Sequence, residues 1–138
     1  MTLLDAYALI AFVAGGPAAK QVRAILREGD AGLATANLVE ALDVTERVRR
    51  IPISRTVEIL DPLFRETLTA VSLDVPIARR AAELRAKHYH RSSRPISLAD
   101  AVLLGSVGPD DRVATADPDV LAVAHEEDLE VIELPGEG

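Results

Sequence analysis

The sequence predicts an α/β domain with a mainly parallel central sheet and helices on both faces. Short apolar runs of three to five residues alternate with longer helical segments along the whole chain. Such runs, bounded by turn-forming residues, are typical of strands that are buried on both faces. Strands that alternate with helices form parallel sheets, because each connection crosses back over the sheet. The length of 138 residues indicates one domain, which we expect to span residues 1–138 with a flexible tail at about 135–138.

Glycine and proline mark the ends of the predicted elements in the N-terminal half. The first helix ends at the Gly15-Gly16 pair, and Pro17 suits the first turn of the next helix, where no amide donor is needed. We expect Asn37 to open the third helix and Pro52 to separate it from the fourth. The predicted strands are Thr2–Leu4, Ala31–Ala34 and Thr69–Leu73, and the predicted helices are Ala6–Ala14, Pro17–Glu28, Asn37–Arg50 and Ser54–Glu66.

Helix-capping residues mark the elements of the C-terminal half. Pro76 starts a long helix, Ser97 opens the next, and the Asp117-Pro118 pair is a cap followed by proline at the first helical position. A polar, basic loop, His90–Pro95, lies between the first two of these helices. The predicted helices are Pro76–His88, Ser97–Val107 and Pro118–Ala124, and the predicted strands are Val113–Thr115 and Glu130–Leu134.

The composition limits the compartment and the chemistry. The chain has no cysteine, which excludes disulfides and thiolate metal sites and favours the reducing cytoplasm. Its start, with Asp5 interrupting the apolar run, does not resemble a signal peptide, and no apolar stretch is long enough to span a membrane. We therefore expect a cytoplasmic protein that does not contact a membrane.

The charge is distributed unevenly. The net charge of −7 argues against a nucleic-acid partner. However, the segment Arg79–Arg94 contains six Lys and Arg residues against a single acid, Glu83, whereas the chain from Glu126 onward contains six acids and no Lys or Arg. The basic segment is a candidate for tracking an RNA backbone, with Arg91 and Arg94 as the favoured contacts. The alternative is that these side chains form the solvated face of a long helix.

Four acidic residues lie at predicted strand-to-helix junctions or in the first turn of a predicted helix. They are Asp5, Glu40, Asp100 and Asp117. The carboxyl ends of parallel strands meet at one edge of a sheet, so we expect these side chains to share one cleft. Two unit charges about 4 Å apart repel by roughly 4 kcal/mol at an effective dielectric constant near 20, so such a cluster requires cations. Carboxylate oxygens suit Mg²⁺ or Mn²⁺.

Helix capping is the alternative explanation for each acid. Asp5 and Asp117 are possible caps, and the pairs Asn37/Glu40 and Ser97/Asp100 have capping-box spacing. Capping does not explain why Glu40 and Asp100 have apolar neighbours, which favour burial. Asp119 is a candidate extra ligand or an exposed acid, and Thr115 and Asn37 are candidates for binding a ligating carboxylate or a water.

These motifs, in this order, resemble those of the PIN-domain ribonucleases, and the single-domain format is similar to the VapC-type toxins of bacterial toxin–antitoxin pairs. The matching segments are Leu4–Phe12, Asn37–Leu42, Ser97–Ala101 and Ala114–Asp119. The resemblance implies a three-layer α/β/α sandwich, and RNA hydrolysis with Mg²⁺ or Mn²⁺ that leaves a 5′-phosphate and a 3′-hydroxyl. It also implies a homodimer inhibited by a small antitoxin protein.

The resemblance implies that Asp5, Glu40, Asp100 and Asp117 are catalytic. We expect Asp5 and Asp100 to hold the main ion, Asp117 with or without Asp119 to complete the metal site, and Glu40 to orient the attacking water. The sequence offers no cysteine nucleophile and no recognisable Ser/His/Asp arrangement. Three alternatives remain: an RNA-maturation nuclease of the same fold, a partner-binding module without activity, and a phosphatase. The last lacks the Asp-x-Asp after the first strand that haloacid-dehalogenase-type chemistry needs.

Overall fold

A five-stranded parallel sheet forms the centre of the computed structural model, which describes residues 1–137. The strands are β1 (Thr2–Leu4), β2 (Ala31–Ala34), β3 (Leu68–Val71), β4 (Arg112–Thr115) and β5 (Glu130–Glu133). Their order in the sheet is β3-β2-β1-β4-β5, and every neighbouring pair is parallel. The predicted α/β class and parallel sheet are confirmed.

Seven helices connect these strands within the described residues. They are α1 (Ala6–Ala14), α2 (Ala19–Arg27), α3 (Thr35–Arg47), α4 (Ile53–Glu66), α5 (Val75–His88), α6 (Leu98–Gly105) and α7 (Pro118–Glu126). No single helix among residues 1–137 has the length and apolar character of a membrane span; α1 and α2 meet those criteria only as a pair, bent by 103°.

Alternating strand residues divide the core into two halves, one on each face of the sheet. Leu4 and Ala114 belong to the half that includes residues of α1, α2 and α4, whereas Leu3 and Val113 belong to the half that includes residues of α5, α6 and α7. This alternation follows from the two-residue repeat of a strand. The helices therefore cover both faces, which confirms the three-layer α/β/α sandwich.

The third helix begins earlier than predicted. It starts at Thr35, with Ala34 at the N-cap and no side-chain cap, so the predicted capping box of Asn37 and Glu40 does not form. The helix also ends at Arg47, and Arg50 has the left-handed φ of 61°. The helix starts immediately after β2, so Asn37 and Glu40 lie inside it and their side chains are not used for capping.

A close contact between α5 and α6 fixes the helix that carries Asp100. A Cβ added at Gly105 would lie 3.0 Å from the backbone nitrogen of Ala81, so a side chain there would push α6 away from α5. Gly105 is itself buried. The glycine thus permits the approach that brings the start of α6 to the sheet edge.

The chain continues past β5 along the domain surface. Leu134 is buried, and its amide donates to the Thr115 carbonyl over 2.8 Å. The carbonyl of Pro135 accepts a hydrogen bond from the Tyr7 hydroxyl at 2.6 Å. Residues 135–137 of the predicted flexible tail thus lie against the domain, whereas Gly138 lies outside the described residues.

Candidate active site

A cavity of about 360 Å³ lies at the carboxyl edge of the sheet. Asp5, Glu40, Asp100 and Asp117 all line it, and we call it the acidic cavity. The remaining lining residues are Ala6, Tyr7, Ile10, Ala116, Pro118, Gly136 and Glu137. The chain order changes direction between β1 and β4, and ligands bind at such switch points in open α/β sheets.

Asp5 is the most buried of the four acids, with 7% of its surface exposed. It caps α1, because its Oδ1 accepts from the Ala8 amide at 2.8 Å. Its Oδ2 accepts from the Thr115 hydroxyl at 2.6 Å, and Thr115 Oγ1 in turn accepts from the Asp117 amide at 3.1 Å. Burial raises the pKa of Asp5 to about 6, more than these hydrogen bonds lower it.

Asp100 and Asp117 both cap helices and keep one oxygen free. Asp100 Oδ2 accepts from the Ser97 amide, and Ser97 Oγ accepts from the Asp100 amide, each at 3.0 Å, so this predicted capping box is confirmed. Asp117 Oδ1 accepts from the Asp119 amide at 2.8 Å. Among residues 1–137, Asp100 Oδ1 and Asp117 Oδ2 accept no hydrogen bond, so these oxygens are available to a ligand.

Glu40 reaches the cavity from within α3 and is half-buried. Burial and then the charge of Asp100 raise its pKa. One turn earlier, the buried Asn37 donates from Nδ2 to the Ala99 carbonyl at 3.3 Å, which ties α3 to α6. Asn37 Oδ1 is buried without a hydrogen-bond partner in the part of the chain described. Asn37 therefore joins the two helices that carry Glu40 and Asp100.

The acidic cavity contains negative charge without a cation. Over residues 1–137, no Lys or Arg forms a salt bridge with any of the four carboxylates. Burial raises the pKa of Asp100 as well, and the charges of Asp117 and Asp119 raise it further. An uncompensated cluster of hard oxygen donors is the environment that a divalent cation relieves.

The donor set fits a hydrated divalent ion better than an ion enclosed by protein. In the described part of the chain, no three acidic or histidine side chains converge as a ready ligand set. Mg²⁺ usually keeps several waters and takes only one or two carboxylates from the protein. The free oxygens of Asp100 and Asp117, beside the buried Asp5, match that requirement.

The other residues singled out in the sequence lie outside the acidic cavity. Asp119 is half-buried and does not line it. Arg94 forms two hydrogen bonds with the Glu126 carboxylate, at 2.9 and 3.1 Å. Arg91 is exposed, and among residues 1–137 its side chain has no ion-pair partner.

Two polar side chains of the lining, Tyr7 and Glu137, were not among the predicted site residues. Tyr7 lies in the first turn of α1, two positions after Asp5, so the sequence could have predicted that it lies near the site. Glu137 arrives from the end of the chain and pairs with Arg49 at 2.7 Å. No local sequence signal announces that contact, because the two residues are far apart along the chain.

Comparison with known proteins identifies the family. The sequence matches the family described as PIN domain over residues 2–133. A toxin–antitoxin complex from Klebsiella pneumoniae has a similar structure, with a TM-score of 0.69 and 20% identity over 100% of both chains. DNA-bound VapBC from Salmonella typhimurium gives a TM-score of 0.71 with 16% identity over 96% of both chains.

A third similar structure is VapC20 from Mycobacterium tuberculosis, described as a Sarcin-Ricin loop cleaving toxin. It gives a TM-score of 0.63 with 12% identity over 99% of this chain and 91% of that one. A search of curated proteins returned no match. At these identities the structural likeness extends to the fold, and the family match covers nearly the whole sequence. The chain therefore belongs to the PIN domain family.

Proposed function

We propose that the protein is a ribonuclease that uses Mg²⁺ or Mn²⁺ and serves as the toxin of a toxin–antitoxin pair. The observation that carries this proposal is the acidic cavity at the β1/β4 switch point, which four carboxylates line without a salt bridge to any Lys or Arg among residues 1–137. Such a site repels RNA unless ions neutralise it. Membership of the PIN domain family supports the same chemistry.

The four acids have distinct proposed roles. Asp100 and Asp117 would hold the ion through their free oxygens, with Asp5 beside them and Asp119 joining only if its side chain turned toward the cavity. A divalent ion bound there supplies an activated water and stabilises charge on the scissile phosphate. Glu40 would orient the attacking water, because it lines the same cavity from α3, a helix that carries none of the other three acids of the site. Thr115 and Asn37 hold the carboxylates in place.

The RNA backbone would approach along the loop that precedes α6. Arg91 is exposed there and free to contact phosphate, and Arg94 joins it if the RNA displaces Glu126. The absence of cysteine keeps the cytoplasm, where RNA is available, as the proposed compartment.

The partner of this toxin is proposed to be a small antitoxin protein. An apolar cavity of about 220 Å³ lies between α1, α2 and α4, lined by Phe12, Leu26 and Leu63 with Arg23 and Arg27 at its side. An amphipathic helix with acidic residues beside its apolar face would complement it. This is the proposed antitoxin site. The antitoxin partners of the Klebsiella and Salmonella proteins are consistent with this assignment.

A second copy of the chain is proposed to cover the apolar surface of α3. Val39 is 67% exposed and Ile53 is 42% exposed, and both line a cavity with Leu42. Exposed apolar groups of this kind mark interaction sites. Val39→Asp should convert the dimer to a monomer, which light scattering detects as a halved mass. An unchanged mass would contradict the proposed homodimer.

The function is tested with amides that keep the caps and remove the charges. In the variant Asp5→Asn/Glu40→Gln/Asp100→Asn/Asp117→Asn, the Asn side chains still accept the amide hydrogen bonds. We expect loss of Mg²⁺- or Mn²⁺-dependent cleavage of RNA while circular dichroism shows a folded protein. The matched control, Glu58→Gln/Asp61→Asn/Glu66→Gln/Asp110→Asn, alters four exposed acids that line neither the acidic cavity nor the cavity proposed for the dimer. Cleavage by the quadruple cavity variant at the parental rate would remove the catalytic assignment.

Three outcomes separate the toxin from its two alternatives. Wild-type protein that binds the antitoxin but cuts no RNA with either metal would be the partner-binding module. Cleavage without growth arrest on expression would indicate the RNA-maturation nuclease. Growth arrest relieved by a small co-expressed neighbouring gene supports the toxin.

A further inference from the structure

The end of the chain carries a carboxylate to the rim of the acidic cavity. Glu137 and Gly136 line the cavity, and the segment is held by the Tyr7–Pro135 hydrogen bond of 2.6 Å. Glu137 Oε1 pairs with Arg49 Nη2 at 2.7 Å. The start of the segment is held in place, because Leu134 is buried and its amide donates a hydrogen bond to Thr115 of β4.

Arg49 is the single cation within residues 1–137 that pairs with a residue of the cavity lining. It follows α3, the helix that also carries Glu40, and its side chain is 34% exposed. The charged residues of the lining itself are all acidic. A polyanionic substrate that approached this cavity would therefore find Arg49 already neutralised, and a fifth carboxylate beside the four.

We infer that Arg49 is a contact site for a phosphate of the RNA backbone, and that the Glu137 carboxylate occupies this site until RNA displaces it. The inference rests on the proposed function, because it places the phosphodiester chain of RNA in the acidic cavity. A guanidinium binds carboxylate and phosphate with the same donor geometry, so Glu137 can stand in for a phosphate oxygen. Displacement exchanges the Arg49–Glu137 pair for an Arg49–phosphate pair and releases the Glu137 carboxylate to solvent.

The ion pair between Arg49 and Glu137 is weak enough for a phosphate of RNA to replace it. The Glu137 side chain is 53% exposed, and exposed ion pairs contribute little and are screened by salt. A phosphodiester adds counterion release, which a carboxylate of the same chain cannot supply. The segment therefore tunes affinity for RNA and does not close the cavity permanently.

The test measures RNA binding separately from cleavage. A fluorescein-labelled single-stranded RNA is titrated in Mg²⁺ against the full chain carrying Glu40→Gln, which stops cleavage but keeps the acids proposed to hold the ion. In this background we compare Glu137→Gln, Arg49→Gln and both together. The exposed pair Arg55 and Glu58 on α4 supplies the matched controls Arg55→Gln and Glu58→Gln, which remove the same charges away from the cavity.

The expected pattern is non-additive. Glu137→Gln should tighten RNA binding by about 1.4- to 5-fold, the range that release of one exposed ion pair allows. Arg49→Gln should weaken binding and reduce the slope of log K against log salt by about one. The double variant should bind like Arg49→Gln alone, because Glu137 acts only through Arg49.

Two results would overturn the inference. If Glu137→Gln tightened RNA binding as much in the presence of Arg49→Gln as in its absence, the carboxylate would act by general repulsion of RNA and not through Arg49. If neither variant differed from its control on α4, Arg49 would not touch RNA. A wild-type protein that cut no RNA, while the variants showed the expected binding pattern, would contradict the nuclease and leave the phosphate site supported.

Discussion

Two groups of charged side chains in the molecule show opposite electrostatics. The acidic cavity has no salt bridge to a Lys or Arg at its four acids in residues 1–137, and the pKa values of Asp5, Glu40 and Asp100 are raised. The second group, which we call the α5–α7 cluster, joins the ends of two helices. It consists of Lys87, His88, Arg94, Glu126 and Glu127.

In the α5–α7 cluster every acid has a partner. Lys87 and the buried His88 contact Glu127 at 2.7 and 2.8 Å, and hydrogen bonds from Lys87 and then His88 lower the Glu127 pKa. Arg94 likewise lowers the pKa of Glu126. Lowered pKa values indicate charges that stabilise the fold, whereas raised values indicate charges that the fold tolerates at a cost. Charged groups that are kept although they reduce stability are characteristic of functional sites.

The largest change in stability is expected for the variant Asp5→Asn, measured without metal. Because the Asp5 pKa is about 6 in the folded protein against an ordinary 3.8, the folded state holds its proton to higher pH. Stability from this group is therefore present below pH 3.8 and lost as the pH rises to about 6. A shift of this size corresponds to about 3 kcal/mol. The lost Thr115 hydrogen bond, about 1 kcal/mol, offsets part of it.

We therefore expect Asp5→Asn to raise the free energy of unfolding by about 2 kcal/mol at pH 7.5, with no gain at pH 4. Urea unfolding in EDTA at the two pH values measures this. Thr2→Val, at another buried polar position of β1, is the control for a change without charge. A variant less stable than wild type at both pH values would mean that the ionised Asp5 carboxylate stabilises the fold, which contradicts a cost of burying its charge.

The second test adds a divalent cation to the folded protein. A ligand that binds only the folded protein at a concentration of 100 times its Kd stabilises it by about 2.7 kcal/mol. Mg²⁺ or Mn²⁺ should therefore raise the melting temperature of wild type, and less so at pH 5, where the raised pKa values leave part of the cluster protonated. Asp100→Asn should remove most of the gain. Equal stabilisation of wild type and Asp100→Asn would place the ion elsewhere.

Contacts within one helical turn could be predicted from the sequence, whereas contacts between distant segments could not. The caps by Asp117 and by Ser97 with Asp100 depend on residues within one helical turn, so local spacing was sufficient. The capping box at Asn37 was wrong, because the helix starts directly after a strand. Contacts across distant segments, such as Arg94 with Glu126 or Arg49 with Glu137, leave no local pattern and depend on the fold.

The third test concerns Asn37, which joins the helices of Glu40 and Asp100. Asn37→Ala removes the hydrogen bond to Ala99 but also removes a buried oxygen without a partner, so we expect stability to change little. Loss of a group that holds ligands in place typically costs about 10- to 100-fold in metal affinity or activity. Titration with Mn²⁺ and RNA cleavage measure both. Full activity would limit Asn37 to a packing role.

The smallest expected effect comes from the α5–α7 cluster and sharpens the comparison from the other side. Because the pKa of Glu127 is lowered, its contribution to stability is present above its ordinary 4.5 and lost as the pH falls. Glu127→Gln should therefore reduce stability at pH 7 by no more than about 1 kcal/mol, since the pair is largely on the surface.

This substitution should not change metal-dependent stabilisation or RNA cleavage, because Glu127 lies outside the cavity lining. Melting curves at pH 7 and pH 4, with and without Mg²⁺, test both statements. Glu83→Gln, which breaks the exposed pair with Arg79, is the control for loss of a charge on the neighbouring helix. A loss of cleavage in Glu127→Gln alone would show that the paired cluster also serves the active site, since it holds the loop that leads into the helix of Asp100.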